Sequence, residues 1–456
     1  MNDCRRCSSV RALICMLAMV LSPALLRAAS GETVSIRGYP DHGMRPLMVE
    51  IYREMLYVQL RHLYGIEVSD GDFGGRRKTE YRIEALQTES ALELRLHKGS
   101  NAASVIRRIP FSSEKWDIVA EIAAAWSTAA GLIEEQWGKP PRRARSTPMQ
   151  ADAVVAQAYE RGDPYALIFA INRDIAALDG GEPSPETFRR VSVAYSWLGK
   201  RLEFVPMGYV KKFYARALAY AFLANRLSGK DSSEELAFAL LSAGRPADAL
   251  AMVGKSIPSP NGVAPLIGPW AQRDYLATKE AARKWGHPSW RYAEGWVGFS
   301  SVPPDVGKRL WADILKRNPL EFGAMYFLYT SDDISVMHPM SERYLGILTD
   351  PSVVKTFISG KLVTAPKKAV APDPKRAESV RRAMLAAETS HRNEELSAFF
   401  RARITELMLH DAILRRYILL QRVSSDNDKA VRLQRFWEIF QPERSCDPGV
   451  RPTLYA

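Results

Sequence analysis

Cysteine is scarce in this sequence of 456 residues, and it is unevenly placed. Cys4, Cys7 and Cys15 lie close to the N-terminus, and only Cys446 follows them. If the N-terminal segment is removed, one thiol remains and no intrachain disulfide can form. The fold must then depend on its hydrophobic core. Hydrophobic residues make up 46% of the chain, which is too many for a disordered protein.

Long hydrophobic runs are also missing. The apolar segment Ala12–Leu26 is shorter than the ~20 residues that a membrane-spanning helix needs. It follows the arginine-containing segment 5–11 and precedes the small residues 28–30, a pattern typical of a cleavable secretory signal peptide. We therefore expect residues 1–30 to be removed and the mature chain to be periplasmic or secreted, without a transmembrane span. An uncleaved N-terminal anchor is the alternative.

Sequence motifs of catalysis and cofactor binding are absent as well. The chain contains no phosphate loop, no Gly-x-Gly-x-x-Gly, no Gly-x-Ser-x-Gly and no His-Glu-x-x-His. Its seven histidines show no metal-ligand spacing. The sequence therefore predicts neither a cofactor nor a metal site, and it indicates a binding protein more than an enzyme.

Basic residues outnumber acidic ones by 63 to 51, which gives a formal charge of +12. They occur as scattered pairs and triplets, such as Arg76-Arg77-Lys78, and such pairs usually lie on solvated faces. In an exported protein, this charge favours an anionic envelope surface or an acidic partner over nucleic acid.

Residues 31–138 alternate between strand and helix patterns. Strict alternation at Leu92–Leu96 is typical of a strand, whereas apolar residues at helical spacing in Arg45–Leu63 and Trp116–Trp137 predict helices. The predicted order is β-α-(β)-β-β-β-α, with the bracketed strand at Ile66–Val68. This order indicates an α+β domain that has one small sheet and two helices.

This segment resembles the N-terminal domain of the TolB-like family, small α+β modules of bacterial envelope proteins. The resemblance depends on the aromatic-proline turn Tyr39-Pro40, the long helix that follows it, the glycine turn at Gly99, and the closing helix with Ile118, Ala123 and Ala124. It covers about a quarter of the chain and implies binding to a partner protein without catalysis.

Helical patterns fill the remainder of the chain, and three stretches resemble tetratricopeptide repeats. The clearest is Leu236–Leu250, where Gly244 is expected to end one helix and Ser232 with Glu235 to form a capping box at its start. The others are Ala194–Gly199 and Trp311–Pro319. Gly199 and Gly244 are further apart than the ~34 residues of that repeat, so a non-repetitive helical array is the alternative.

The predicted fold class is thus an α+β N-terminal domain followed by a mostly helical array, a tetratricopeptide-like solenoid. The predicted boundaries are 1–30 for the signal peptide, 31–138 for the α+β domain, 139–148 for a basic proline-rich linker, 149–363 for the repeat-like domain, 364–374 for a second linker and 375–456 for C-terminal helices and tail.

Aromatic residues concentrate between positions 270 and 299. Outward-facing rings could grip a sugar or an apolar peptide side chain, whereas inward-facing rings would fill the core between helices. The groove hypothesis assigns binding to Trp285, Trp290, Tyr292 and Trp296.

Two functions follow from these patterns. The first is a periplasmic or envelope scaffold that binds an envelope protein or peptide in a concave helical groove. The alternative is an enzyme that processes an envelope glycan, with Glu280, Glu294 and Asp305 as candidate acids, since glycoside hydrolysis needs two carboxyl groups.

Overall fold

A computed structural model describes residues 33–39, 46–70, 80–88, 91–99, 103–110, 117–140, 152–180, 184–203, 209–230, 233–255, 262–285, 289–321, 324, 347 and 350–366. The predicted signal peptide, most of the first linker, Cys446 and the segment 375–456 lie outside these residues. The described residues belong to two compact units. Unit 1 is drawn from 1–150, 174–192 and 215–236, and unit 2 from 151–173, 193–214 and 237–456.

Unit 1 contains a five-stranded mixed sheet in the order β2-β1-β3-β4-β5. The central strand β3 runs parallel to β1 and antiparallel to β4, so that Ile83 pairs with Leu96. The predicted order of strands and helices in this region is confirmed, including the short second strand. The strands are β1 (Thr33–Tyr39), β2 (Glu67–Asp70), β3 (Tyr81–Gln87), β4 (Ala91–Lys98) and β5 (Ala103–Pro110).

The alternation in β3 and β4 explains how the sheet is buried. Ile83, Leu92, Leu94 and Leu96 are fully buried, while the intervening charged residues are partly exposed. Successive side chains of a strand point to opposite faces, so one face of the sheet belongs to the core.

Two helices of unit 1 match the predictions closely, with differences at their ends. Helix α1 (Pro46–Val58) continues as a π-helical turn (Gln59–Tyr64), which Gly65 ends at φ +69°. Helix α2 (Ile118–Trp137) begins two residues after Trp116 because the Asp117 carboxylate caps it, accepting hydrogen bonds from the backbone N–H groups of Val119 and Ala120.

Only helices, turns and loops occur among the described residues beyond position 140, so the prediction of a mostly helical remainder is confirmed. No helix in the described part of the chain is long and apolar enough to cross a membrane. The helices are α3 (Ala153–Arg161), α4 (Pro164–Gly180), α5 (Pro185–Leu202), α6 (Tyr209–Ser228), α7 (Glu234–Ser242), α8 (Pro246–Val253), α9 (Ala264–Ala271), α10 (Tyr275–Trp285), α11 (Trp290–Ser301), α12 (Pro304–Arg317) and α13 (Pro351–Ile358).

The stretch around Gly244 is a helix–turn–helix, as predicted. Gly244 has φ +79°, and the Arg245 N–H donates to the Leu240 carbonyl at 2.9 Å, the bond that closes a helix in the Schellman motif. The cap of α7 differs from the prediction. The Leu236 N–H donates to the hydroxyl of Ser233 at 3.2 Å, whereas Ser232 lies outside the described residues.

Gly199 lies within helix α5 and ends no helix. A Cβ atom at this position would stand 2.4 Å from Cε1 of Tyr214. Since the Tyr214 side chain is buried, the glycine is needed for the close approach of α6 to α5. Gly199 and Gly244 are therefore not equivalent positions of one repeat.

This contact makes Gly199→Ala a test of the packing. We expect the substitution to lower the free energy of unfolding by about 1–3 kcal/mol, because the rigid ring of Tyr214 must move in a full core. Gly131→Ala is the matched control, since Gly131 is also helical and its Cβ would contact nothing. The control should stabilise the protein by about 0.5–1 kcal/mol. Equal changes in urea unfolding for both variants would contradict the assignment.

Candidate functional site

A pocket of about 730 Å³ opens in unit 2. Helices α3, α5, α11 and α12 line it together with the segments 318–321 and 364–365. Its volume lies within the ~300–1,000 Å³ that small-molecule sites commonly have. Trp290, Ile314 and Leu320 provide apolar walls. The charged lining consists of four arginines and two glutamates, namely Arg161, Arg201, Arg291, Arg317, Glu160 and Glu321.

A buried ion pair forms the floor of this pocket. Arg201 Nε donates to Glu321 Oε2 at 2.8 Å, and the two side chains are 2% and 5% exposed. Arg201 Nη2 donates to the Ser289 hydroxyl at 3.3 Å. The guanidinium group also stacks on the ring of Tyr292, with Cζ 4.5 Å from the ring centroid. Arg201 is thus held rigidly from three sides.

Two buried polar atoms of this floor remain unsatisfied. Within the described part of the chain, neither Arg201 Nη1 nor Glu321 Oε1 has a hydrogen-bond partner. A buried polar atom without a partner costs about 1–3 kcal/mol, and more when the group is charged. Such a donor and acceptor beside a pocket are therefore a reason to expect a polar group there.

The carboxyl group of Glu321 has a pKa far above its ordinary value. Burial raises the pKa of its carboxyl group to about 7, against the opposing effect of the Arg201 guanidinium, and the Asp163 carboxylate raises it further. The pocket floor consequently changes charge near neutral pH. Its Oε1 atom is an acceptor above that pKa and can carry a proton below it.

The turn between α3 and α4 positions the arginine side of the pocket. Gly162 has φ +64°, and a Cβ there would stand 2.5 Å from the Ser289 hydroxyl. Next to it, the fully buried Asp163 accepts hydrogen bonds from Arg161 Nε at 2.8 Å and from the Ala166 N–H at 3.1 Å. Arg161 Nη1 donates to the Val363 carbonyl at 2.6 Å. The Arg161 side chain is therefore fixed by Asp163 on one side and by the backbone of Val363 on the other.

The predicted aromatic residues lie in different surroundings. Trp290 is half-buried and lines the pocket, with Arg291 Cζ 4.4 Å from its ring centroid. Tyr292 is only 1% exposed, and its hydroxyl donates to the Lys200 carbonyl at 2.7 Å. Its ring packs edge-on against Trp311, which places it in the core beneath the pocket.

Trp296 is half-buried and contacts Trp270, and Lys200 Nζ lies 4.5 Å from its ring centroid. Trp296 does not line the pocket. The side chain of Trp285 lies outside the described part of the chain. Of the four predicted binding residues, the structure therefore brings Trp290 and Tyr292 to one site.

Neither Glu280 nor Glu294 lines the pocket. Glu280 is exposed and pairs with Lys284 at 3.0 Å. Glu294 is buried and accepts a hydrogen bond from the Tyr275 hydroxyl at 3.2 Å. The side chain of Asp305 is not among those described. In the described ranges, no three His, Cys, Asp or Glu side chains are grouped as metal ligands would be.

Comparison with protein-family models, curated proteins and solved structures finds no match for this chain. The resemblances to the TolB-like domain and to tetratricopeptide repeats therefore stay predictions.

Sequence reasoning missed Arg201 and Glu321. They lie 120 positions apart, and neither belongs to a motif. Arg201 follows Lys200 near the end of a helix that contains several other charged residues, so the local sequence gives no sign that its guanidinium is buried. The one local hint is Gly162-Asp163-Pro164, which marks the α3–α4 turn on which the pocket wall depends.

Proposed function

We propose that this chain is an exported protein of the cell envelope that binds a partner protein or peptide through the pocket of unit 2. The observation that carries the proposal is the pocket floor: Arg201 and Glu321 line the pocket, and each has a buried polar atom without a partner in the described residues. The N-terminal pattern of a signal peptide supports export. In this proposal, the N-terminal domain is a TolB-like module that makes a second contact, and the helices form a divergent repeat array.

Site-specific photocrosslinking tests this function. A photoreactive phenylalanine analogue replaces Trp290 at the pocket wall, and in a control variant it replaces Leu276, which is 73% exposed on α10 of the same unit. In cells that export the chain, we expect a defined crosslinked species from position 290 and none from position 276. N-terminal sequencing of the recovered chain should show that residues 1–30 are absent.

Two results would contradict the proposal. Identical crosslinks from both positions would mean that contacts are random, and no crosslink at position 290 would mean that the pocket holds no partner in the envelope.

One observation favours a second candidate function, the cleavage of an envelope glycan. Glu321 has a pKa of about 7 and lies in a pocket that also contains Glu160. A carboxyl group that keeps its proton near neutral pH can serve as the general acid of a glycosidase. Release of soluble fragments from purified envelope glycan by the wild-type chain, and its loss in Glu321→Gln, would support cleavage over simple binding.

A further inference from the structure

We propose that the pocket of unit 2 recognises a carboxylate group that carries an apolar substituent, with Arg201 and Glu321 gripping the carboxylate together. This inference rests on the proposed function and names the chemistry that the site selects. A peptide C-terminus, an acidic side chain and a small organic acid all present this group.

Arg201 provides the first donor. Its Nε and Nη2 atoms are already engaged by Glu321 and Ser289, which leaves Nη1 as the buried atom without a partner in the described structure. The side chain is 98% buried and is stacked on Tyr292, so Nη1 cannot turn to bulk water. A guanidinium N–H held in this way forms its strongest hydrogen bonds with carboxylate or phosphate oxygens.

Glu321 provides the second donor when it is protonated. Oε2 accepts from Arg201, so the proton would lie on Oε1, the atom without a described partner. The carboxylate of a ligand would then receive one hydrogen bond from Arg201 and one from the Glu321 hydroxyl. Binding would take up one proton whenever Glu321 starts in its charged form.

The groups that face Glu321 come from several elements. Arg201 on α5 favours its charged form, whereas Asp163 before α4 favours its neutral form. Tyr292 on α11 has its own pKa raised well above the usual value, chiefly by burial and also by the charge of Glu321, so it remains neutral. Arg161 on α3 pairs with Asp163.

The charges around the pocket favour an anion over a neutral ligand when Glu321 is protonated. Arg161, Arg291 and Arg317 stand at the rim with side chains 25%, 32% and 58% exposed. Asp313 pairs with both Arg291 and Arg317, Asp163 pairs with Arg161, and Glu160 also lines the pocket. These three acids balance the three rim arginines, so the charge of Arg201 is left over when Glu321 is protonated. A neutral amide would satisfy Arg201 and a charged Glu321 equally well, but it would gain nothing from the positive charge that remains when Glu321 is protonated.

The walls of the pocket indicate the chemistry of the ligand next to its carboxylate. Trp290, Ile314 and Leu320 are apolar, and about 730 Å³ is far more than a carboxylate occupies. The pocket therefore has room for an apolar group next to the carboxylate, as in the last residues of a peptide that ends in a hydrophobic side chain.

Equilibrium dialysis of the full mature chain tests this inference. The probes are a pool of N-acetylated tripeptides with free C-termini, the same pool as C-terminal amides, and hexanoate, all quantified by mass spectrometry. At pH 6, we expect retained tripeptide acids to bind at least tenfold more tightly than their amides. Retention of hexanoate without the tripeptide acids would assign the site to small organic acids.

The pH dependence and two variants complete the test. Between pH 6 and pH 8, the affinity of the wild-type chain for the acids should fall about tenfold, because the protonated fraction of Glu321 falls by that factor. Glu321→Gln keeps an N–H donor in place of the hydroxyl, so it should retain acid binding and lose most of the pH dependence. Arg201→Lys should lose the preference for acids.

The outcomes separate this inference from the function on which it rests. If amides bind as tightly as acids, or if no acid probe is retained, the carboxylate assignment is overturned. In either case, the crosslink at position 290 still decides whether the pocket receives a partner. If Arg201→Lys does not fold, the acid-to-amide ratio and the response of Glu321→Gln decide the question by themselves.

Discussion

Replacing Arg216 by methionine should lower the free energy of unfolding by about 3–5 kcal/mol, because it leaves the Glu54 carboxylate buried without its counter-ion. Arg216 Nε donates to Glu54 Oε2 at 2.5 Å, and both side chains are 2% exposed. The guanidinium also lies over the ring of Tyr57, with Cζ 4.0 Å from its centroid. The pair joins α1 to α6 inside unit 1, so the loss should appear as a lower midpoint in urea unfolding.

The Lys284–Glu280 pair supplies the control. Its side chains are 76% and 71% exposed, so Lys284→Met should change stability by no more than about 0.5 kcal/mol. The double variant Glu54→Met with Arg216→Met removes both buried charges and should recover most of the lost stability. If Arg216→Met is no more harmful than Lys284→Met, Glu54 and Arg216 do not form a buried pair in solution.

The sheet of unit 1 could be predicted because local patterns determine it. In β4, Leu92, Leu94 and Leu96 alternate with charged residues, and turn residues such as Gly99 separate the strands. A period of two is a property of a few neighbouring residues. The π-helical end of α1 was not predictable, because Gln59 reaches the Trp126 carbonyl, 67 positions away, from that turn.

Gly199 and Gly244 also show how far local sequence predicts structure. Gly244 could be predicted as a turn because it follows an apolar helical run and precedes proline within two residues. Gly199 follows a similar run, yet it lies within α5, where Tyr214 packs on it. The proline after Gly244 is a local difference between the two sequences, whereas the packing of Tyr214 on Gly199 is not visible in the sequence.

The candidate site was not predictable because it also depends on contacts between residues that are distant in sequence. Charged residues lie mostly on solvated faces, so an arginine outside any motif, such as Arg201, is expected to be exposed. Its burial depends on Glu321, on the Ser289 hydroxyl and on the ring of Tyr292, which helices far apart in sequence bring together. The aromatic residues were visible as a group, but their directions were not. Both Trp290 and Tyr292 line the pocket, but Trp290 is half-buried, whereas Tyr292 is only 1% exposed and also packs in the core.

The pH dependence of stability should identify Glu321 directly. Its pKa is about 7 in the folded chain and 4.5 as an ordinary carboxyl group. The folded state therefore binds the proton more tightly than the unfolded state does. Below both values the group is protonated in either state and favours neither of them. As the pH rises from about 4.5 to 7, the unfolded chain loses this proton first, so the contribution of Glu321 to stability falls.

Glu321→Gln cannot lose a proton, so its unfolding free energy should lack this decline. Relative to the variant, the wild-type chain should lose up to about 3 kcal/mol between pH 4.5 and pH 8, with most of the change complete by pH 7. Glu280→Gln is the control, because Glu280 is 71% exposed, and its profile should run parallel to that of the wild type. Parallel profiles for wild type and Glu321→Gln in urea unfolding would show that Glu321 is not held neutral by burial. In that case Glu321 would not take up the proton that the proposed binding of a carboxylate requires.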